Sequence, residues 1–191
     1  MMPKGGVGAE LGVFTGLFSE QIVKLAKPRR LYLVDPWWVQ YGELFPDWGP
    51  YSDHGKLPTK VAYDAALART AQANTEVIPV VQSSIEWLAT IPDHHLDWAY
   101  LDSSHDYPGT WHELHALVPK IKPDGFIFGD DWQLSPDHMH AGVMLAVNDF
   151  VRATDFDLRS AGTAAQWLIM RRQYRHRKET MLAVNSDRRG V

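Results

Sequence analysis

Short runs of consecutive apolar residues alternate along the chain with segments in which apolar residues return every three or four positions. Residues 7–13, Arg30–Val34, 76–81, Leu96–Leu101 and 126–128 read as buried strands. Between the first two, Leu17, Phe18, Ile22 and Leu25 recur at helical spacing until Pro28 ends the run. Pro58-Thr59 opens a helix to about Ala73, and Ser83 and Ser84 cap a short helix carrying Ile85, Trp87 and Leu88. A further helix is expected from about Gly109 to Ile121, followed by a turn at Pro123-Asp124-Gly125. Residues 139–152 place Val143, Ala146, Val147 and Phe150 on one helical face. Residues 156–160 and 166–170 predict two closing strands around Ala161-Gly162-Thr163.

Regular alternation of strand and helix means a parallel sheet with helices on both faces. The expected fold is thus α/β: a Rossmann-like, doubly wound, mostly parallel seven-stranded sheet whose last two strands form an antiparallel hairpin. One domain is expected over residues 1–172, with a polar tail over 173–191. Residues 37–60 are rich in glycine, proline and aromatics and have no clear period, which marks a lid or substrate loop.

Composition narrows the class. A length of 191 residues suits one core, and 45% apolar with 22% charged residues excludes a chain disordered throughout. The formal net charge of −4 argues against a nucleic-acid partner. The basic run 171–178 reads as a solvated tail. Cysteine is absent, which excludes disulfides, a thiolate nucleophile and cysteine-ligated zinc or iron–sulfur sites. No apolar run approaches the roughly 20 residues that cross a bilayer. The amino terminus has no hydrophobic signal region, so a soluble cytoplasmic protein without a membrane partner is expected. Of eight tryptophans, Trp37, Trp38, Trp48 and Trp132 belong to loops expected to face a ligand, and Trp87, Trp98, Trp111 and Trp167 to the core.

In open α/β sheets ligands bind beyond the carboxyl ends of the strands. Those ends carry Glu10-Leu-Gly, Asp35-Pro-Trp-Trp, Gln82-Ser-Ser, Asp102-Ser-Ser-His-Asp and Asp130-Asp131-Trp. Glu10-Leu-Gly-Val-Phe-Thr-Gly16 is a strand-to-helix turn with glycines four apart, and Asp35 is placed to accept hydrogen bonds from ribose hydroxyls. An acid at that distance also occurs in dinucleotide-binding enzymes, but their second glycine is replaced by Phe14. A ligand with ribose and no pyrophosphate fits better, and S-adenosylmethionine (SAM) is such a ligand.

These segments, with Leu31-Tyr-Leu-Val-Asp-Pro-Trp37, Leu101-Asp-Ser-Ser-His-Asp-Tyr107, Lys120-Ile-Lys-Pro-Asp-Gly125 and Gly129-Asp-Asp-Trp132, resemble class I SAM-dependent methyltransferases. The group most similar is that of macrocin-type O-methyltransferases, over about Gly6 to Arg172. The resemblance implies that Glu10, Gly12 and Gly16 line the methionine part of SAM, that Asp35 binds ribose, and that Gln82, Ser83 and Ser84 lie near adenine. Asp102 completes the cofactor side. Phe14 stands where the family more commonly has glycine, so a differently shaped loop is expected. The chain also begins almost at its first strand. Covering helices upstream are then missing, and substrate enclosure falls to residues 37–60 or to an oligomer partner.

Asp102, Asp130 and Asp131 end neighbouring strands, where three carboxylates repel unless a cation or proton intervenes. Their oxygens suit Mg²⁺, and in metal-dependent members of the resembling family a comparable acid set holds it beside the SAM methyl. The bland reading is that the acids cap helices or meet solvent. His105 is a candidate base for the acceptor's proton, and with Asp102 makes up the expected catalytic pair. His112-Glu113-Leu114-His115 lacks metalloprotease spacing, and His94, His95, His138 and His140 read as loop residues, of which His138 and His140, just past the Asp131 loop, lie within reach of a substrate.

The expected function is SAM-dependent, Mg²⁺-assisted O-methylation of a small molecule. The alternatives are a metal-free N- or O-methyltransferase using His105, a nicotinamide-dependent oxidoreductase, and a non-catalytic SAM-binding module. The aromatic loop (Trp37, Trp38, Tyr41, Phe45, Trp48, Tyr51) suits a flat or sugar-like acceptor, or equally a dimer interface.

Overall fold

The computed structural model describes residues 3–71 and 73–172. The polar tail and most of the basic run lie outside them. Strands β1 (Val7–Leu11), β2 (Arg30–Val34), β3 (Glu76–Val80), β4 (Leu96–Leu101), β5 (Ile121–Gly129), β6 (Phe156–Ala161) and β7 (Trp167–Arg171) form one sheet in the order β3-β2-β1-β4-β5-β7-β6. The first five run parallel, and β7 pairs antiparallel with both β5 and β6. This is the expected mixed seven-stranded Rossmann-like sheet. The direction of winding switches between β1 and β4.

Alternation along each strand divides the interior into two cores. Val7, Ala9 and Leu11 of β1 face Trp87 and Leu88 of α4 (Ser84–Thr90), Leu114 and Leu117 of α5 (Tyr107–Leu117), and Val143, Val147 and Phe150 of α6 (Ala141–Ala153). On the other face Leu31, Leu33, Trp98 and Tyr100 pack with Ile22 and Val23 of α1 (Leu17–Leu25), Trp37 of α2 (Trp37–Tyr41), and Ala62 and Ala66 of α3 (Thr59–Thr70). Trp98 lies flat across its β1 neighbour Gly8, where any Cβ would sit 2.1 Å from the indole. A side chain at residue 8 would displace the largest core residue of the central strands.

Three expectations change. The segment 37–60 is not structureless: it holds α2, a 3-10 turn at Gly49–Ser52 and an antiparallel bridge between Leu44 and Pro58. Five helical residues are too few to show a period, which is why the pattern hid them. The turn at Pro123–Gly125 is the irregular start of β5, whose register skips from Leu96↔Ile121 to Trp98↔Phe126. Surplus residues bulge there, and the turn-forming types accommodate the bulge. Helix α5 starts earlier than expected, at Tyr107, because the Asp106 carboxylate caps it by accepting from the Gly109 amide at 2.8 Å, and it ends at Leu117, ahead of β5. No helix of the described residues is long and apolar enough to cross a membrane.

Candidate active site at the carboxyl edge of the sheet

The β1–α1 turn alternates left-handed positions: Gly12 (φ 87°), Phe14 (φ 53°) and Gly16 (φ 75°). Gly12 needs its lack of a side chain twice, since a Cβ would also stand 1.9 Å from the Asp102 carbonyl oxygen. Phe14 holds a left-handed conformation that favours glycine, at a backbone cost of about 1–2 kcal/mol. A Cβ on Gly16 would meet the α3 backbone at Ala66, 2.6 Å away, so that glycine serves helix packing as well as the turn.

Asp35 sits where expected, but its carboxylate is already engaged. Oδ2 accepts from the amides of Val13 and Phe14, both at 2.9 Å, and Oδ1 from the amide of Trp37 at 2.9 Å. Ribose hydroxyls would have to share these oxygens. Burial raises the pKa of Asp35 and the three amides oppose that rise. Glu10 is fully buried and accepts from the Ser19 hydroxyl. Burial pushes its pKa well up, with Asp102 and Asp35 adding to the rise. The amino terminus of α1, at Gly16, carries no side-chain cap.

Beyond β3, the Ser83 side chain closes a capping box with Glu86 at the start of α4. Ser84 turns inward and donates to Glu113. Of the three residues expected near adenine, Gln82 alone is exposed. Glu113, only 2% exposed, also accepts from Ser103 (2.5 Å) and Ser104 (3.2 Å) in the β4–α5 loop. Sequence reading set Glu113 aside as part of a failed metal motif. The signal that could have found it is spacing, since Thr110, Glu113, Leu114 and Leu117 form the buried stripe of α5.

Asp102, His105, Asp130 and Asp131 line one cleft together with Ser103, Ser104 and Glu113. Burial and the charges of Asp130 and Asp131 push Asp102 up to about 7, while His105 pulls it down. Asp130 is likewise raised, chiefly by burial. Asp131 behaves oppositely. Burial would raise it, but His105 and His140 hold it below the usual carboxylate range. His105 Nδ1 lies 2.5 Å from Asp131 Oδ2 and 3.9 Å from Asp102 Oδ1. Burial disfavours the charged ring of His105, yet Asp131, Asp102 and Glu113 outweigh it and raise its pKa. Mutual repulsion of the acids is thus relieved in part by imidazoles. His140, read from the sequence as a loop residue, joins the site 2.9 Å from Asp131 Oδ1.

The aromatic loop closes over this edge. Phe14 stacks on Tyr51 and meets Phe45 edge-on with centroids 4.9 Å apart, and Tyr41 and Trp48 complete the group. Acids reach Tyr51: its pKa is raised by burial first, then by Asp102, Asp131, Asp35 and Asp130. Two tryptophans depart from expectation. Trp37 is fully buried in the second core, its indole donating to the Phe14 carbonyl at 2.9 Å, and Trp132 is buried too. Trp38, on α2, and Trp48, in the loop beyond it, are exposed, and Trp111 is half-buried.

A family model described as a methyltransferase domain matches residues 9–132. Among solved structures the chain is similar to an rRNA methylase from Streptococcus thermophilus (11% identity, 88% of this chain and 86% of that one, TM-score 0.55). It is also similar to the 1,6-didemethyltoxoflavin-N1-methyltransferase of Burkholderia thailandensis, solved with bound 1,6-didemethyltoxoflavin and S-adenosylhomocysteine (14% identity, 87% and 70% covered, TM-score 0.54). A third is TYW2 of M. jannaschii, solved with AdoMet (14% identity, 88% and 68% covered, TM-score 0.50). At these identities the likeness is one of fold. No curated protein matches the chain.

Proposed function

The chain belongs to the methyltransferase-domain family, and from that premise we propose that it transfers the methyl group of SAM to a hydroxyl of a small-molecule acceptor. The carrying observation is the cleft where Asp102, His105, Asp130 and Asp131 meet beside the β1–α1 turn. Binding of a cofactor alone does not need this acid–imidazole set; activation of a hydroxyl does.

The residues present fit SAM. The uncapped start of α1 suits the methionyl carboxylate, the buried Glu10 carboxylate faces the same turn, and Asp35 and Gln82 lie on the ribose and adenine sides. When bound, SAM supplies an electrophilic methyl on a sulfonium. The protein's part is to hold the acceptor oxygen in line and to take its proton. With Nδ1 engaged by Asp131, the His105 nitrogen left to accept that proton is Nε2. This pairing supports a reaction that needs no metal.

The acids of this cleft also offer oxygens to a divalent cation, although among the described residues the set of three whose ligand atoms all lie within 4.8 Å of one another is His105, Asp131 and His140, without Asp102 or Asp130. Three carboxylates suit Mg²⁺, which when bound would lower the acceptor hydroxyl's pKa. A small acceptor, not a nucleic acid, fits the net charge of −4.

Calorimetric titration of SAM into the protein, with NAD as control, tests the cofactor. Micromolar binding, about −8 kcal/mol, with none for NAD is the expected result, and no SAM binding overturns the proposal. Asp131→Ala should keep SAM binding and lose methyl transfer from labelled SAM to hydroxylated acceptors. Unchanged turnover in that variant would move the chemistry elsewhere.

A further inference from the structure

Three separate elements bring nitrogen and oxygen donors to one point. Asp131 lies two residues beyond β5, His105 comes from the β4–α5 loop, and His140 is the N-cap residue of α6. The two imidazoles take opposite oxygens of the one carboxylate, His105 at Oδ2 and His140 at Oδ1, and their rings stack with centroids 4.8 Å apart and planes 21° apart. One donor atom from each of the three residues lies within 4.8 Å of the others. His140 Nδ1 is buried and, although 2.9 Å from the carboxylate, makes no hydrogen bond with it. A buried ring nitrogen close to an oxygen but aimed off it suits a third body held by both. The loop is set for this, since His138 Nδ1 accepts the His140 amide at 3.1 Å.

We propose that His105, Asp131 and His140 form a binding site for a divalent transition-metal ion, with positions left open for water or the acceptor oxygen. Two imidazoles and one carboxylate favour Zn²⁺, Co²⁺, Ni²⁺ or Fe²⁺ over Mg²⁺, which prefers an all-oxygen shell. Binding through Nδ1 displaces the proton shared between His105 and Asp131, so that pairing and the metal-bound state exclude each other at His105. The inference rests on the cation-assisted form of the proposed reaction and changes which side chains hold the ion.

The probe is Co²⁺ alone, titrated into the metal-stripped full chain and followed by its visible absorption, with Mg²⁺ and Zn²⁺ as competitors. One Co²⁺ per chain is expected, with the stronger absorption of a four- or five-coordinate, imidazole-bound ion. Zn²⁺ should displace it and millimolar Mg²⁺ should not. His140→Asn, which keeps a favoured residue at the helix start, should weaken Co²⁺ by about tenfold or more, while Asp130→Asn changes it by less than about threefold. Binding unaffected by His140→Asn, or lost with Asp130→Asn and displaced by Mg²⁺, overturns the inference while leaving a cation at the carboxylates. No metal binding at all overturns the inference and the cation-assisted form together, and leaves the metal-free reaction through His105.

Discussion

The ring of Phe14 stacks on that of Tyr51 with centroids 4.4 Å apart and planes 14° apart, and Phe14 does so from a left-handed backbone position (φ 53°). Phe14 also contacts Phe45. The residue that strains the β1–α1 turn is thus the one that fastens the aromatic loop to it.

This sets an unusual order of stabilities at residue 14. Phe14→Ala loses the ring contacts and keeps the strain. Phe14→Gly loses the same contacts but relieves the strain by about 1 kcal/mol. The glycine variant should therefore be the more stable of the two, against the usual penalty for glycine. Denaturant unfolding of both variants checks it, and equal midpoints would mean that φ at residue 14 is not left-handed in solution.

Asp35 has two expected roles, and substitutions separate them. Asp35→Ala leaves the amides of Val13, Phe14 and Trp37 without their acceptor, at a cost of about 2–3 kcal/mol. It should also weaken SAM binding by about tenfold or more. Asp35→Asn retains an acceptor and should fall between. Thermal unfolding and calorimetry read the two effects, and an alanine variant with wild-type stability would show that the turn does not depend on this carboxylate.

Glu10 ties stability to pH. Its folded pKa lies well above the ordinary glutamate range, chiefly through burial. The folded state therefore keeps its proton to higher pH than the unfolded chain does. That contribution to stability is fully present below the unfolded value and is lost as pH rises through the folded one. Glu10→Gln cannot lose a proton and should gain stability over the parent as pH rises, while binding SAM less well. Unfolding curves of both proteins from acid to mildly alkaline pH test this; parallel curves would show that Glu10 is ionised at no cost.

Glu113→Ala should cost about 2–4 kcal/mol, because three serine hydroxyls lose their acceptor. Glu113→Gln, close to the protonated acid in shape and charge, should cost less than about 1 kcal/mol. Chemical denaturation distinguishes them, and an alanine variant as stable as the glutamine variant would mean that the serines find water instead.

Much of this architecture was legible in the chain. Strands Arg30–Val34 and Leu96–Leu101 were bounded correctly because they are largely buried, so apolar residues dominate both runs despite Arg30 and Asp97 near their starts. The acids at the strand ends were legible because parallel topology alone places them on one edge. What escaped depended on contacts distant in sequence. Trp37 opens the loop segment, yet it is buried because β2 delivers it into the second core. The start of β5 carries turn-forming residues because a register skip against β4 must be absorbed there. The imidazole at residue 140 reaches Asp131 through a path without periodicity, which no local pattern encodes.

Ser84 hangs from the turn after β3, Ser103 and Ser104 from the loop after β4, and all three end on the single carboxylate of Glu113. The start of α4 and the β4–α5 loop are therefore geared to one pivot. A displacement of Ser84 would pull on the same side chain that anchors Ser103 and Ser104, next to Asp102 and His105 in the chain. Slack in either segment is thus passed to the other through a single buried acid.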